Sequence, residues 1–353
     1  MDQPTVSVYE ARAAEWAAKR SARFVDDAVA FAARVRPGAM RADLGCGPGL
    51  YVPSLGEPVV ALDAAGAMLD LAGGAAPHAL RVRADLEALP FRAGALAGAW
   101  ARASYLHVPR TRLPVALREL HVSCALDAPV VLTVKRGDAE LAELPDDSFG
   151  GRRFSQWEPG PFTDVVYGAG FEIDAARADD EWITVEARRG RLLPDTVAPG
   201  MRILIAGLNP SLYTADAGVG YARPGNRFWP AALASGLLTR DHDPVSALRD
   251  HRVGMTNLVL RATPRADQVS SAEYREGTAR VVRLVEWLQP GVLCVVGITG
   301  WRIAVDKKAT MGLQPEPLGG RPVYVMPNPS GLNAHSKPAD YVRHFQELMT
   351  LAP

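Results

Sequence analysis

Two short apolar runs, each ending in a glycine-bearing loop, constrain this 353-residue chain more than any other feature. The first is Arg41-Ala-Asp-Leu-Gly-Cys-Gly-Pro-Gly49 and the second Met201-Arg-Ile-Leu-Ile-Ala-Gly-Leu-Asn-Pro-Ser211. A buried strand that stops at glycines and hands over to a helix opens a β–α unit. The chain is also longer than one hydrophobic core usually covers, so two α/β domains are expected. Between the two starts, Arg188-Arg-Gly-Arg-Leu-Leu-Pro-Asp-Thr-Val-Ala-Pro-Gly200 is polar and punctuated by Pro and Gly. The expected organisation is one domain over 1–190, a linker over 191–199 and a second domain over 200–353.

Each half alternates strand and helix patterns. In the front half an Ala-rich segment predicts a helix over 11–36, and apolar runs at 58–62, 80–82, 96–100 and 129–134 predict buried parallel strands. In the back half strands are predicted at 202–206, 254–258, 292–297 and 323–326, with an amphipathic helix over 271–288. Both halves read as three-layer α/β/α sandwiches with ligand loops at the carboxyl ends of strands.

Lys+Arg and Asp+Glu balance at 39 each, but unevenly along the chain. Residues 1–195 hold 22 basic and 27 acidic side chains, and the remainder 17 and 12. Nucleic acid, if bound, is therefore expected at the back half. Three scattered cysteines (Cys46, Cys124, Cys294) form no disulfide framework and no metal-ligand spacing. The opening residues lack a basic-then-apolar signal pattern, and no apolar run is long enough to span a membrane. A reduced, cytoplasmic protein without a bound metal or a membrane partner is the expectation.

The loop Asp43–Gly49 lets a ligand approach bare backbone. Asp63 ends the next strand, where a carboxylate can take both hydroxyls of a ribose, and Asp85 follows the third strand, suited to an adenine amino group. A nicotinamide dinucleotide fits poorly, because Leu50 stands where the GxGxxG fingerprint needs glycine and Asp43 would repel a pyrophosphate. A ligand carrying a sulfonium and an amine favours that carboxylate. Asp-Leu-Gly-Cys-Gly-Pro-Gly, then Leu62–Leu69, then Ala84–Phe91, resembles a class I S-adenosylmethionine-dependent methyltransferase over roughly 8–188. The resemblance implies a Rossmann-like methyltransferase fold with S-adenosylmethionine as cofactor. Asp43, Gly45, Cys46 and Gly47 would line its methionine end, Asp63 would hold the ribose, and Asp85 and Leu86 would contact adenine. The acceptor stays open: there is no (D/N)PP(Y/F) tetrapeptide and no Pro-Cys nucleophile, and His107, Arg102 and Tyr105 are acceptor-side candidates.

In the back half, Gly207-Leu-Asn-Pro-Ser211 places a side-chain amide at the end of a strand, and Tyr221-Ala-Arg-Pro-Gly-Asn-Arg-Phe-Trp229 adds an aromatic and two arginines. Gly254–Thr263 ends another strand, and Met326-Pro-Asn-Pro-Ser-Gly-Leu-Asn-Ala-His335 sets one bare leucine on a rigid loop, as a wedge into a base stack would require. In this order the segments resemble the mismatch-specific uracil-DNA glycosylase family, which includes thymine-DNA glycosylase, from about Met201 to Met349. The resemblance implies a uracil-DNA glycosylase-like fold that needs no cofactor. Its partner would be double-stranded DNA with a mismatched or damaged pyrimidine. Asn209 would position the attacking water, Thr214 and Tyr221 would line the base pocket, and Asn328 and Ser330 would belong to the second motif. Leu332 would fill the vacated stack, with the backbone of Gly331 and Asn333 reading the widowed guanine. Asn333 and Ala334 depart from the usual Ser and Arg, and His335 is a candidate to replace the lost contact. Arg223, Arg227, Arg261, Arg265 and Lys337 are candidate phosphate contacts.

Asn209 is neutral and no general base, so the reaction must lean on a good leaving group such as the uracil anion. No lysine stands in these motifs, which predicts a monofunctional enzyme that leaves an abasic site. The alternative is a methyltransferase whose back half only binds nucleic acid.

Overall fold

Apolar runs bounded by glycine and proline become the strands of two separate sheets, one in each half of the chain. The computed structural model describes residues 2–145, 147–331, 333 and 335–352. Contacts divide the chain into two units, Met1–Gly190 and Arg191–Pro353.

In the first unit the strands are β1 (Arg41–Leu44), β2 (Val59–Asp63), β3 (Leu80–Arg83), β4 (Gly98–Arg102), β5 (Pro129–Lys135), the short pair β6 (Glu140–Leu141) and β7 (Phe154–Ser155), β8 (Phe171–Ala178) and β9 (Trp182–Arg189). The helices are α1 (Gln3–Ala11), α2 (Ala13–Ala18), α3 (Val25–Arg34), α4 (Gly66–Ala75), α5 (Leu113–Ser123) and α6 (Pro159–Gly168). Seven strands form one sheet in the order β3-β2-β1-β4-β5-β9-β8. Pairing is parallel from β3 to β5, and β9 runs antiparallel to both neighbours. Strand order reverses between β1 and β4, the place where α/β sheets open a ligand crevice. Phe31, Leu55, Trp100 and Val131 pack beneath it. The helix expected over 11–36 is instead two helices, α2 and α3, preceded by α1, which ends at Ala11. Turns at Arg12 and between Lys19 and Phe24 break it, and the second break lays Arg20 over Trp16 and Phe24 under Arg102.

The second unit holds β10 (Ile203–Gly207), β11 (Val253–Asn257), β12 (Val292–Val296), β13 (Gly312–Leu313) and β14 (Val323–Met326). Its helices are α7 (Leu212–Ala217), α8 (Phe228–Ala234), α9 (Pro244–His251), α10 (Ser271–Leu288), α11 (Ile298–Ala304) and α12 (Pro338–Leu351). The sheet order is β11-β10-β12-β14-β13, parallel except for β13. Side chains alternate across it: Ile203 and Ile205 face Phe228, Trp229 and Phe345, while Leu204 and Ala206 face Val281 and Val285. Helix α10 begins at a capping box, with the Ser270 hydroxyl on the Glu273 amide and the Glu273 carboxylate back on Ser270.

The segment expected to be a linker is not one. Leu192, Leu193 and Val197 are buried in the second unit, and Thr196 exchanges backbone hydrogen bonds with Met255. Asp195 is buried against Arg280, with Nη1 of Arg280 donating to its Oδ2 at 2.7 Å. Its two prolines and the flanking Gly190 and Gly200 mark where the backbone bends, while its apolar residues and one carboxylate anchor it.

Candidate active sites

The first cleft lies over the carboxyl ends of β1, β2 and β4 and is open to solvent, with about 750 Å3 of space between its walls and its mouth. Gly45 leaves β1 with φ +74°, and a Cβ there would stand 2.3 Å from the Cβ of Ser104. Only glycine lets the loop pass the end of β4. Gly47 turns at φ +53° with open space on its bare side and borders the cleft. Its amide donates to Asp63 Oδ2 at 2.9 Å, and the Ala65 amide donates to Oδ1, also at 2.9 Å. Asp43 is buried beside this pair, and its Oδ2 has no hydrogen-bond partner. Burial first, then the neighbouring Asp63, push the Asp43 carboxyl up to about 8. Burial likewise raises Asp63 and the Cys46 thiol.

Asp43, Gly45, Cys46, Gly47, Asp63 and Leu86 all line this cleft. Asp85 does not: its Oδ1 accepts from the Glu87 amide at 2.9 Å in a turn, so Leu86 alone of that pair forms a wall. Tyr105 is buried away from the cleft, whereas Arg102 and His107 line it. His107 Nδ1 lies 2.6 Å from the Arg153 carbonyl and so carries the proton there. Nε2 then accepts from the Tyr9 hydroxyl at 2.8 Å, and Arg152 donates to that hydroxyl at 2.8 Å. Burial holds His107 down to about 4, so it is neutral. Tyr9, Trp16 and Arg20 of the N-terminal segment also wall the cleft. The sequence reading missed them; two aromatics seven residues apart, on the consecutive helices α1 and α2, were the signal available.

The second cleft, of about 1210 Å3, opens over the ends of β10, β11, β12 and β14, again where strand order reverses. Asn209, Thr214, Tyr221, Asn328 and Ser330 line it together with Arg223 and Arg265. Asn209 Nδ2 donates to Thr263 Oγ1 at 2.6 Å and to the Pro210 carbonyl at 3.2 Å. The Thr263 hydroxyl is itself committed as a donor to the Arg265 carbonyl at 2.8 Å. Its oxygen can only accept from Asn209, which fixes the amide nitrogen toward Thr263 and leaves Oδ1 free to accept. Tyr221, at φ 59°, stacks one face on Phe228 at 4.1 Å. Thr214 is buried in the first turn of α7 and shares a hydrogen bond with Ser211. Thr263 and Asn257 also line it, two residues that the sequence reading quoted only as parts of a strand segment.

Other expected residues have different duties. Gly331 lies outside the lining, and Leu332 and Ala334 lie outside the described residues. The Asn333 amide donates to Ser330 O, its carbonyl accepts from Arg227, and its Nδ2 donates to Asn328 O at 2.9 Å. Asn333 thus folds the loop, and its backbone is engaged within the protein rather than offered to a base. Arg227 clamps the same loop, its Nη1 donating to the carbonyls of Asn333 and Ser336. Arg261 is held by Glu273 at 2.7 Å. Arg265 pairs with Asp267 at 3.1 Å but remains at the mouth of the cleft, and Lys337 is an exposed helix cap. Asn328 Oδ1 accepts from the Ser330 amide at 3.0 Å, and the His335 amide donates to Asn333 Oδ1 at 3.0 Å.

Residues 42–132 match the family model of a methyltransferase domain, and residues 194–349 that of the uracil DNA glycosylase superfamily. This chain is a methyltransferase domain fused to a uracil DNA glycosylase superfamily domain. The glycosylase match begins inside the segment read as a linker, consistent with the burial of Asp195. Similar solved structures include a SAM-dependent methyltransferase from Methanosarcina mazei, 17% identical, covering 45% of this chain and 95% of that one with a TM-score of 0.40. Others are the DhpI–SAH complex (21%, 53% and 96%, 0.42) and an S-adenosylmethionine dependent methyltransferase from Mesorhizobium loti (18%, 47% and 100%, 0.38). Among the described residues no helix is long and apolar enough to cross a membrane.

Proposed function

We propose that the glycosylase domain hydrolyses the N-glycosidic bond of uracil, or a related pyrimidine, in G·U or G·T mismatched DNA. The methyltransferase domain, on the same reading, transfers a methyl group from S-adenosylmethionine. The observation that carries the first assignment is the tether of Asn209 to Thr263 at the rim of the second cleft. With Nδ2 occupied, Oδ1 accepts a hydrogen from a water and aims its lone pair at the sugar C1′. A neutral amide cannot remove the proton at the outset, so the C–N bond breaks ahead of attack and the base departs as an anion. Side-chain amides such as Asn257 stabilise that anion, and Tyr221 offers an aromatic wall. Arg223 and Arg265 at the mouth meet phosphates, which makes affinity fall with salt. Flipping costs a few kcal/mol and least at a mismatch, which favours G·U over paired uracil. The lining contains no lysine among the described residues, in keeping with an abasic product and no strand nicking.

In the first cleft the unpartnered Asp43 oxygen and the two raised acids suit a ligand with cationic groups, and the bare side of Gly47 leaves room for it. S-adenosylmethionine supplies an electrophilic methyl group when bound. Asp43 then gives up its proton and holds the positive end, while Leu86 and Met68 furnish apolar walls.

Incubation of a G·U duplex followed by alkali tests the glycosylase reading. Wild type should yield a strand break at the uracil position and Asn209→Ala should not. An intact strand with wild type overturns it. Titration with S-adenosylhomocysteine tests the cofactor separately.

A further inference from the structure

A second recess of about 740 Å3 adjoins the cofactor cleft and shares Arg20, Tyr51 and Arg102 with it. Its walls combine arginines with aromatic rings. Arg102, half-buried, lies 3.1 Å from the ring centroid of Phe24 and 5.5 Å from that of Trp182. Arg23 adds a further cation. Among the described residues no carboxylate reaches Arg20, Arg23 or Arg102 at ion-pair distance, whereas Arg34, Arg152, Arg177 and Arg188 of the same domain each hold one. The carboxylate of Glu181, which also lines the recess, is occupied by Lys135 Nζ at 2.9 Å. The guanidinium of Arg102 is thus partly stripped of water, and burial pulls its pKa below the ordinary arginine value, which Tyr51 and the more distant Asp27 only partly offset.

We infer that this recess takes the methyl acceptor and that the acceptor is a small planar molecule bearing a carboxylate or phosphate. Rings of the acceptor stack with Tyr51 and Trp182, and its anion completes Arg102 and Arg23. In the transfer, an acceptor oxygen or nitrogen lone pair forms the bond to the methyl carbon, the C–S bond breaks with its electron pair going to sulfur, and the acceptor's proton leaves to water. A nucleic-acid acceptor fits less well, because residues 1–190 carry 21 basic and 26 acidic side chains and the cations line a concave recess rather than a stripe. The inference rests on the reading of the neighbouring cleft as an S-adenosylmethionine site.

The test is calorimetric titration of the full chain, first with S-adenosylhomocysteine alone. With that ligand present, 4-hydroxybenzoate, phenyl phosphate, neutral 4-hydroxybenzamide and a short single-stranded oligonucleotide follow. The anionic probes should bind about ten-fold tighter than the amide, the scale of one charge-assisted hydrogen bond. Arg102→Gln and, on an exposed turn, Arg23→Gln should each erase most of that difference. Should S-adenosylhomocysteine bind while acid and amide bind alike, or neither anion bind, the recess assignment falls and the cofactor reading stands. Preferential, Arg23-dependent binding of the oligonucleotide would overturn it in favour of a nucleic-acid acceptor. If S-adenosylhomocysteine itself fails to bind, both readings fall, because an anion site without a donor beside it is no acceptor site.

Discussion

Asn209 Nδ2 stands 2.6 Å from Thr263 Oγ1, and this one hydrogen bond decides which end of the amide faces the cleft. Thr263→Val keeps the shape and removes the acceptor. The amide can then flip, so its oxygen is correctly placed only part of the time. Uracil release from a G·U duplex should slow about ten-fold with duplex affinity unchanged. Asn209→Ala should cost about 10²–10³-fold, the scale for loss of one pre-oriented polar group. Single-turnover kinetics separate the two. A wild-type rate in Thr263→Val would remove the tether from the mechanism.

Gly45 is the tightest point of the cofactor loop. A methyl group there meets Ser104 Cβ at 2.3 Å while the backbone sits at φ +74°, so Gly45→Ala suffers both a clash and strain. Left-handed backbone alone costs roughly 1–2 kcal/mol in an L-residue. Gly47→Ala has the same backbone problem without the clash. Melting of the methyltransferase domain should therefore fall further for Gly45→Ala than for Gly47→Ala. Equal shifts would show that Ser104 simply moves aside.

What the chain disclosed in advance was whatever rests on local pattern. Helix α10 spans the residues that its apolar period predicts. The central strands lie within a residue or two of their apolar runs. Asn209 and Thr214 converge because one follows a strand end and the other lies in the helix that opens beside it, and Tyr221 joins them from the loop after that helix. Long-range pairing was not legible. Nothing local to Thr263 announces Asn209, which is 54 residues away. Nothing in Tyr9 announces His107, 98 residues away. Strand β8 is exposed over its last five residues and β9 buries three residues in a row, so neither shows a clean period of two. The misreading of 191–199 shares this cause, because Pro and Gly report bends whether the segment is buried or free.

Asp43 gives the cofactor cleft a pH signature. In the folded chain it keeps its proton up to about pH 8, and in the unfolded chain it loses it near the ordinary 3.8. Between those values the folded state binds more protons, so this residue's contribution to stability falls as pH rises from about 4 to 8. Asp43→Asn should melt higher than wild type at the upper end of that window and similarly at the lower end. Binding of S-adenosylhomocysteine, whose amine is cationic, should strengthen as pH approaches 8 and release about one proton near pH 7. Calorimetry in two buffers of different ionisation enthalpy reads that proton. Binding without proton release would mean that Asp43 is already ionised.

Asp195 and Arg280 form a buried pair whose partners come from the two ends of the glycosylase domain's first hundred residues. Thr256 Oγ1 donates to Asp195 Oδ1 at 2.6 Å, and Arg280 Nη2 donates to the Asn257 carbonyl at 3.1 Å. The network fixes the carboxyl end of β11, where Asn257 meets the cleft. Removing one member strands a charge in the interior, which typically costs 3–5 kcal/mol, roughly, whereas an apolar pair of similar volume can be neutral. Asp195→Leu alone should therefore strip hydrogen-exchange protection from the amides of Met255 and Asn257 and slow uracil release. Asp195→Leu combined with Arg280→Met should regain much of the protection. Full protection in Asp195→Leu would show that the segment before β10 tethers the domain without supporting its cleft.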